Sequence, residues 1–242
     1  MFENRTYRDQ HQKEGLVSFD ITVKETNLNI QAKTNLAEKT IKSVLRCRNY
    51  IETYIKLHPE FATSLTPIKK SGPAPEIICN MIEASNLANV GPMATVAGAV
   101  AEVTGKSLLA DSNEVLVENG GDIFVKSNTD TIFNIYAGNS PFSMTSGIRI
   151  GKRDTPYGLC TSSGTLGHSK SFGRADAAVI LSDSCFLADA AATALGNRVK
   201  KTADIKDAIE KGKTIPGIQG IVIIKDDHIG LWGDLKLVKL SE

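Results

Sequence analysis

The segment SDSCFLADAAATAL, from Ser182 to Leu195, combines an apolar helical composition with two polar side chains at a defined spacing. Its second half is nearly all alanine and leucine, which are strong helix formers, and this composition predicts a buried helix. Asp189 and Thr193 interrupt the apolar run four residues apart. Residues at i and i+4 project from the same face of a helix, so the carboxylate and the hydroxyl are expected to lie side by side.

This pair of side chains has two interpretations. A carboxylate and a hydroxyl on one helix face offer oxygen ligands to a hard cation such as Mg²⁺, which takes few protein ligands and is often shared with a phosphate. Alternatively, Thr193 hydrogen-bonds to its own helix backbone, and Asp189 lies near the helix N-terminus because the dipole there favours a negative charge. The spacing alone is compatible with both.

Length and charge limit the classes of function. The chain has 242 residues, enough for a large core, and its 28 Lys and Arg balance 27 Asp and Glu. The clustered basic surface that nucleic acid or an anionic membrane requires is therefore not predicted. No apolar run reaches the roughly 18–20 residues that cross a bilayer, and the N-terminal segment is polar. We expect a cytoplasmic protein that binds neither nucleic acid nor membrane.

Hydrophobic periodicity predicts two strands and three helices in the first half of the chain. Residues 17–23 alternate between apolar and polar, and the Glu25–Asn27 segment predicts a turn before a returning strand. Helical spacing follows at residues 36–55 and 75–88. The segment GPMATVAGAVAEVTG, residues 91–105, predicts a helix of small residues that permits another backbone to approach closely.

Short strands dominate the second half, from Glu114 onward, and the chain closes with a predicted hairpin that turns at Asp226–Asp227. Strands and helices do not alternate strictly. The fold class is therefore α+β, with mixed or antiparallel sheets and packed helices, rather than a doubly wound parallel sheet. We expect a single domain over residues 1–242, with a strand–helix part at about 1–90 and a motif-bearing part at about 91–242.

The segment VENGGDIFV places Asn119, Gly120, Gly121 and Asp122 between two apolar strand segments. Asn-Gly is a strong signal for a β-hairpin turn. Glycines also allow a backbone to approach a flat ring or a phosphate. Turn formation does not require the acidic residues Glu118 and Asp122, so a ligand-binding role remains open beside the structural one.

The segment CTSSGTLGHSKSFGRAD, residues 160–176, is the most polar stretch of the chain. A loop rich in Gly, Ser and Thr between strands can bind phosphates through backbone N–H groups and hydroxyls, and His168 could carry a proton or orient a phosphate. The alternative is a surface loop without function. The candidate binding residues at its start are Thr161, Ser162, Ser163 and Gly164.

The four cysteines are scattered, without a CxxC pair, so neither a disulfide framework nor a zinc site is predicted. Cys160 could be a nucleophile or sulfur carrier whose thiolate is stabilised by His168, or a small buried strand residue. Cys185 could gain thiolate character at a helix N-terminus, or be buried.

In this order, the segments GPMATVAGAVAE, VENGGDIFV, CTSSGTLGHS and ADAAATAL resemble successive motifs of the ApbE-type flavin transferases. Longer blocks, among them KETNLNI, HPEFATSLTPI and CTSSGTLGHSKSFGRADAAV, resemble the ApbE-like uncharacterised protein family catalogued under number 0280. The first resemblance covers about residues 88–198, and the second covers nearly the whole chain.

The resemblance implies an ApbE-like fold that binds FAD or FMN together with Mg²⁺. Asp189 and Thr193 match the residues that bind the metal in ApbE enzymes, and Val96 is the closest match to the residue whose backbone carbonyl completes that metal site. Gly120, Gly121 and Asp122 match a Gly-Gly-Asp turn. Thr161, Ser163 and Gly164 match a Thr-Ser-Gly strand end.

Two departures from the transferase pattern concern the reaction. Ala97 stands where the transferases have the Lys of an Ala-Lys-Gly core, and their His-xx-Asp-Pro-xx-Gly segment is replaced by GHSKSFGRAD, with His168 as its histidine. A fold can be kept while its chemistry changes. The loss of these polar groups argues against FMN transfer more strongly than against nucleotide binding.

Two further functions remain open. The family has been linked with sulfur assimilation and homocysteine formation in anaerobes, which would suit Cys160 as a sulfur carrier. An inactive ApbE-like interaction module would bind a protein partner and no small molecule. Open sheet edges and the small-residue helix favour a homo-oligomer in each case.

Overall fold

The computed structural model describes residues 13–164 and 173–240. The α-helices are α1 (Ala37–Leu57), α2 (Glu60–Thr63), α3 (Glu76–Ala88), α4 (Val96–Leu108), α5 (Cys185–Arg198) and α6 (Asp204–Lys213). The strands are β1 (Val17–Val23), β2 (Thr26–Ala32), β3 (Val115–Asn119), β4 (Asp122–Lys126), β5 (Thr131–Asn134), β6 (Ser146–Ile150), β7 (Tyr157–Ser162), β8 (Ala177–Ser182), β9 (Ile218–Lys225), β10 (His228–Gly233) and β11 (Lys236–Lys239).

These strands form two antiparallel sheets. The large sheet has the order β1-β2-β3-β4-β7-β8-β9-β10, and the small sheet has the order β11-β6-β5. The N-terminal hairpin pairs directly with β3, so strands from both expected parts of the chain share one sheet. The α+β prediction, with antiparallel sheets and packed helices, is confirmed.

Two hydrophobic clusters lie on opposite faces of the large sheet. On one face, strand residues such as Val117, Phe124 and Ile180 pack with residues from the helices. On the other face, residues such as Val125 and Val179 pack with residues of the small sheet. Alternation along each strand separates the two sets, because successive side chains point to opposite faces. The molecule therefore has three layers: helices, large sheet and small sheet.

The expected helices are present, with one local difference. Residues 91–105 were expected to form one small-residue helix, but Pro92–Thr95 form a 3₁₀ turn that leads into α4. Proline suits the first turn of a helix because it has no N–H to leave unpaired. The α-helix proper therefore begins at Val96.

Two turns differ in detail from the sequence expectation. The first hairpin turns at Lys24–Glu25, and Lys24 has a φ of 52°. Thr26 already pairs with Val23, so placing the turn at residues 25–27 was wrong by one to two residues. The closing hairpin does turn at Asp226–Asp227, as expected, but the chain continues into β11, which pairs with β6 in the small sheet.

No helix within the described ranges is long and apolar enough to span a membrane.

Candidate functional site

The first element of the site is the hairpin between β3 and β4. Asn119 and Asp122 are paired as the last and first strand residues, which leaves Gly120 and Gly121 as the two turn residues. Gly120 has a φ of 73°, the positive value that a type II′ turn requires at its first central position. The hairpin prediction is confirmed, and its polar residues flank the turn at one end of the large sheet.

The Asn119–Asp122 pair lies on the helix side of the sheet. It is two positions along the strands from the Val117–Phe124 pair, which belongs to the helix-side core, and side chains alternate with a period of two. Asn119 confirms this direction, because its Nδ2 donates a hydrogen bond to the carbonyl oxygen of Ala97 at 3.1 Å. The hairpin is thus tied to the first turn of α4.

Asp189 reaches the same turn of α4 from α5. Its Oδ2 accepts a hydrogen bond from the N–H of Gly98 at 2.9 Å. A methyl group at Gly98 would collide with the carbonyl oxygen of Cys185 and lie 2.9 Å from the Cβ of Asp189. The small-residue character of this helix therefore has a specific purpose: it lets α4 and α5 approach closely enough for a backbone N–H to reach a carboxylate.

The pKa values of Asp122 and Asp189 are both raised, and the charge of Asp122 acts on Asp189. Burial raises the pKa of Asp122 to about 7, and the charge of Glu118 adds to the effect, although the Cys160 thiol and the Thr161 N–H oppose it. Burial and then the nearby charge of Asp122 raise the pKa of Asp189 well above its ordinary value, against hydrogen bonds from the Gly98 and Ala97 backbone. Oδ1 of Asp122 is buried and has no hydrogen-bond partner within the described ranges.

Thr193 lies one turn beyond Asp189 on the same face of α5, and its side chain is half-buried. The alternative interpretation of Thr193 required a hydrogen bond from its hydroxyl to the helix backbone. Such a bond is present at Thr40, whose Oγ1 donates to the Leu36 carbonyl, but Thr193 makes no side-chain hydrogen bond to the part of the chain that the structure describes. The described residues therefore do not provide the backbone hydrogen bond that this interpretation requires, and the role of Thr193 as a metal ligand stays a prediction.

Val96 is the first residue of α4 and directly precedes Ala97 and Gly98, the two residues whose backbone contacts Asn119 and Asp189. Its side chain is half-buried. The structure therefore places Val96 beside the site. The role of its carbonyl as a metal ligand stays a prediction.

The end of β7 forms the neighbouring wall of the site. Cys160 pairs with Asp122 across the sheet, and Thr161 donates its N–H to the Gly121 carbonyl at 2.9 Å. Ser162 lies against α5, since a methyl group at Gly196 would be 3.7 Å from its Oγ. Ser163 is half-buried.

Gly164 is exposed where the chain leaves β7, and its N–H donates to the Ala175 carbonyl at 2.8 Å. His168, the candidate proton carrier, lies outside the described residues.

The two cysteines of this region are buried. Cys160 has no exposed surface, and burial raises the pKa of its thiol well above the ordinary value, as do the contact with Cys185 and the charge of Asp122. Burial likewise raises the pKa of Cys185, although this residue begins α5. Of the two alternatives for Cys185, the structure favours burial, and the charge of Glu102 at the start of α5 raises the pKa further.

Glu102 is the residue of this region that the sequence interpretation missed. It is only 4% exposed, and its Oε2 accepts hydrogen bonds from the Cys185 N–H at 2.6 Å and from the Ser184 hydroxyl at 3.3 Å. Its signal was available in the sequence, because it is the single acidic residue between Pro92 and Leu108 and lies four residues after Gly98. Charged side chains are rarely fully buried unless they are paired, so an acidic residue in a helix of small residues indicates a partner.

The oxygen atoms of the site fit a hard divalent cation. No group of three or more His, Cys, Asp and Glu side chains among residues 13–164 and 173–240 is arranged to hold a metal ion. A cation would instead depend on two carboxylates, a hydroxyl and backbone carbonyls, which suits Mg²⁺ because this ion keeps several waters and few protein ligands. A bound cation would give the unpartnered Oδ1 of Asp122 a partner. Its positive charge would also lower the raised pKa values of Asp122 and Asp189.

Comparison with known proteins identifies the family. A family model described as "AbpE bacteria" matches residues 8–231. The UPF0280 protein of Methanococcus aeolicus is 41% identical over 232 residues, which is 92% of each chain. The UPF0280 protein of Methanocaldococcus jannaschii is 41% identical over 229 residues, covering 92% of this chain and 93% of the relative.

Solved structures show the same fold at low identity. The flavin transferase ApbE from Vibrio cholerae superposes with a TM-score of 0.59 at 13% identity and covers 90% of this chain and 97% of its own. The flavinyl transferase ApbE of Pseudomonas stutzeri, in its apo form, superposes with a TM-score of 0.57 at 11% identity. The match covers 90% of this chain and 94% of the transferase chain. The three layers described above are thus the ApbE fold, and this chain belongs to the UPF0280 family of ApbE-like proteins.

Proposed function

We propose that this protein binds FAD, or a related nucleotide, through a Mg²⁺-assisted phosphate site at Asp122 and Asp189. The observation that carries the proposal is the convergence of these two carboxylates from separate elements, with one buried oxygen left unpartnered. Two raised carboxylate pKa values in one place are typical of functional sites. Similarity to flavin transferases supports flavin as the ligand class.

The metal ligands in this proposal are Asp189, Thr193 and the backbone carbonyl of Val96, with Asp122 beside them. When bound, Mg²⁺ would supply the positive charge that offsets both carboxylates and a phosphate. Asp189 is oriented by the Gly98 N–H, and Thr193 offers a hydroxyl one helical turn away. These two residues project toward the same side of α5, so a single ion can contact both.

The nucleotide would lie along the hairpin turn and the end of β7. Gly121 is exposed, and its missing side chain allows a ligand to approach the backbone. Asn119, Gly120, Thr161, Ser162, Ser163 and Gly164 supply the remaining hydroxyl, amide and backbone groups of this region. His168 keeps its proposed role of orienting a phosphate or carrying a proton.

The proposal stops at binding and does not include FMN transfer. Ala97 contributes no side-chain amine at the position of the transferase lysine, and its backbone carbonyl is already engaged by Asn119. Similarity of fold carries no reaction with it. Binding needs only the oxygen ligands and the glycine turn, of which Gly121 is exposed.

A thermal-shift screen with FAD, FMN and ADP, each with Mg²⁺ and with a chelator, tests the proposal. A ligand that binds the native state raises the melting temperature by mass action. We expect FAD with Mg²⁺ to raise the melting temperature and the chelator to abolish most of the shift. Equal melting temperatures under all conditions would refute the proposal and favour the inactive interaction module, which binds a protein partner only.

The sulfur-carrier hypothesis finds less support. A persulfide carrier needs an accessible thiolate, whereas Cys160 is fully buried and its pKa is raised. Incubation with inorganic polysulfide followed by mass spectrometry tests it. Attack of the Cys160 thiolate on a sulfane sulfur would break an S–S bond, release the shortened polysulfide and leave a persulfide on Cys160, which would revive this function. An unmodified Cys160 would remove it. The cytoplasmic location stays a prediction.

A further inference from the structure

Within residues 13–164 and 173–240, Glu102 hydrogen-bonds to none of the proposed ligand-binding oxygens, yet it is a buried carboxylate between two helices. Its Oε2 accepts hydrogen bonds from Cys185 and Ser184, and its Oε1 pairs with the Nζ of Lys106 at 2.6 Å. The first backbone N–H groups of a helix have no partner within the helix, and a carboxylate there forms strong charge-assisted hydrogen bonds. Glu102 therefore fixes the start of α5 to the middle of α4.

This contact is the second of two that run between the same helices. Gly98 and Glu102 are four residues apart on α4, and Cys185 and Asp189 are four residues apart on α5. The Gly98 N–H meets Asp189 at 2.9 Å, and Glu102 meets the Cys185 N–H at 2.6 Å. The pairs run in opposite chain directions, so the helices lie antiparallel and are joined at two points one turn apart.

The sheet restricts α5 from the other side. A methyl group at Gly158 of β7 would lie 2.7 Å from both the Cα and the Sγ of Cys185. The first turn of α5 is therefore held between β7 and α4, where there is little free space. Without the Glu102 contact, the first turn of α5 would lose its hydrogen bonds to α4, and in such a confined space a small shift of that turn would also displace Asp189, one turn further along.

We propose that Glu102 is a positioning residue, which fixes the register of α5 so that Asp189 is held beside Asp122. This inference rests on the proposed nucleotide and Mg²⁺ site. It predicts that the affinity of that site depends on a residue that contacts neither the ion nor the nucleotide.

The test compares Glu102→Ala with Glu102→Gln and with the control Val100→Ala. Val100 is buried and lies two residues from both Gly98 and Glu102, hence on the opposite side of α4. Calorimetry with FAD and Mg²⁺ is expected to give an affinity reduced by about tenfold or more for Glu102→Ala and a nearly unchanged affinity for Val100→Ala. Glu102→Gln is expected to restore most of the affinity, because its amide oxygen can still accept the Cys185 N–H.

Amide hydrogen exchange supplies a second readout that does not depend on the ligand. We expect the first-turn amides of α5, Cys185 above all, to exchange faster in Glu102→Ala than in Val100→Ala. Should Glu102→Ala fail to fold, Glu102→Asp replaces it, since the shorter side chain cannot span the same 2.6 Å contact.

Two results overturn the inference. One is a wild-type affinity for FAD and Mg²⁺ in folded Glu102→Ala or Glu102→Asp. The other is amide hydrogen exchange in the first turn of α5 that is no faster in the Glu102 variant than in the Val100→Ala control. If the wild type itself binds neither FAD nor Mg²⁺, the proposed function fails, and hydrogen exchange still decides whether Glu102 fixes the start of α5.

Discussion

Gly98 is the residue on which the geometry of the site depends most directly. It brings α4 close to α5 and donates its N–H to Asp189. We expect Gly98→Ala to destabilise the fold by roughly 1–3 kcal/mol, because an added methyl group in a filled space forces backbone shifts. The same shift should weaken Mg²⁺-dependent FAD binding.

Urea unfolding and calorimetry measure the two effects of Gly98→Ala. Gly151→Ala is the matched control, because the nearest atom to an added methyl group there is 3.9 Å away. A Gly98→Ala protein as stable as the control would show that α4 and α5 do not need this close approach.

Asp122 gives a prediction with a defined pH dependence. Its pKa is raised from 3.8 to about 7, chiefly by burial. Between these two pH values the native protein keeps a proton on Asp122 that the unfolded chain has lost. Stability without Mg²⁺ should therefore fall as the pH rises from about 4 to about 7, and then level off. Asp122→Asn removes the titrating group. Above about pH 7 we therefore expect its free energy of unfolding to exceed that of the wild type by on the order of 1–3 kcal/mol.

Melting curves at several pH values test this prediction. Asp154→Asn, at an exposed position, is the control and should show no such pH-dependent gain. Added Mg²⁺ should stabilise the wild type more than Asp122→Asn. A variant that is less stable than the wild type at about pH 8 without Mg²⁺ would contradict the assigned charge state.

At the scale of single elements, the ion-pair cluster at the start of β3 stabilises the large sheet. Burial alone would raise the pKa of Glu114, but the Asn128 N–H, Lys33 and Lys13 outweigh it and lower the pKa to about 2. The stabilisation is present above the ordinary value of 4.5 and is lost as the pH falls from there towards 2.

Glu114→Gln should therefore cost roughly 1–3 kcal/mol of unfolding free energy at neutral pH, and the difference from the wild type should shrink below about pH 4. Urea unfolding at several pH values measures it. Glu83→Gln, at an exposed position on α3, serves as the control and should be neutral. If Glu114→Gln lowered the unfolding free energy equally at every pH, the ion pairs would not be the cause of the loss.

The hairpins illustrate what local sequence can predict. The turns at Gly120–Gly121 and at Asp226–Asp227 follow from short-range chemistry and were predicted correctly. The pairing of β11 with β6 was not, because it joins residues about 90 positions apart in sequence and depends on tertiary packing. Element type was thus easier to predict than strand partner.

At the scale of the whole molecule, the three-layer arrangement explains why the site could be predicted only in part. Asp189, Thr193 and the Gly-Gly turn each carry a local signal, and their order along the chain indicated the family. The contacts that join them, such as Asn119 with Ala97 and Glu102 with Cys185, cross 22 and 83 residues. No local pattern encodes such separations, so the acidic residue in the small-residue helix gave no indication of its partner at the start of α5.

The large sheet ends in two edge strands, β1 and β10. Unpaired strand edges are available for pairing with a second chain, so we expect a homo-oligomer. Light scattering coupled to size-exclusion chromatography gives the mass directly. A mass of twice the 26.0 kDa chain or more supports this expectation, and a monomer at every concentration contradicts it.

The most direct test of the central claim is calorimetric titration of FAD into the wild type and Asp189→Asn, with and without Mg²⁺. The asparagine can still accept the Gly98 N–H, so the fold is preserved while the carboxylate charge is removed. We predict that Mg²⁺ strengthens FAD binding by about tenfold or more in the wild type and by less than about twofold in the variant. An equal effect of Mg²⁺ on both proteins, or no FAD binding by the wild type, would contradict a metal–phosphate site at Asp189.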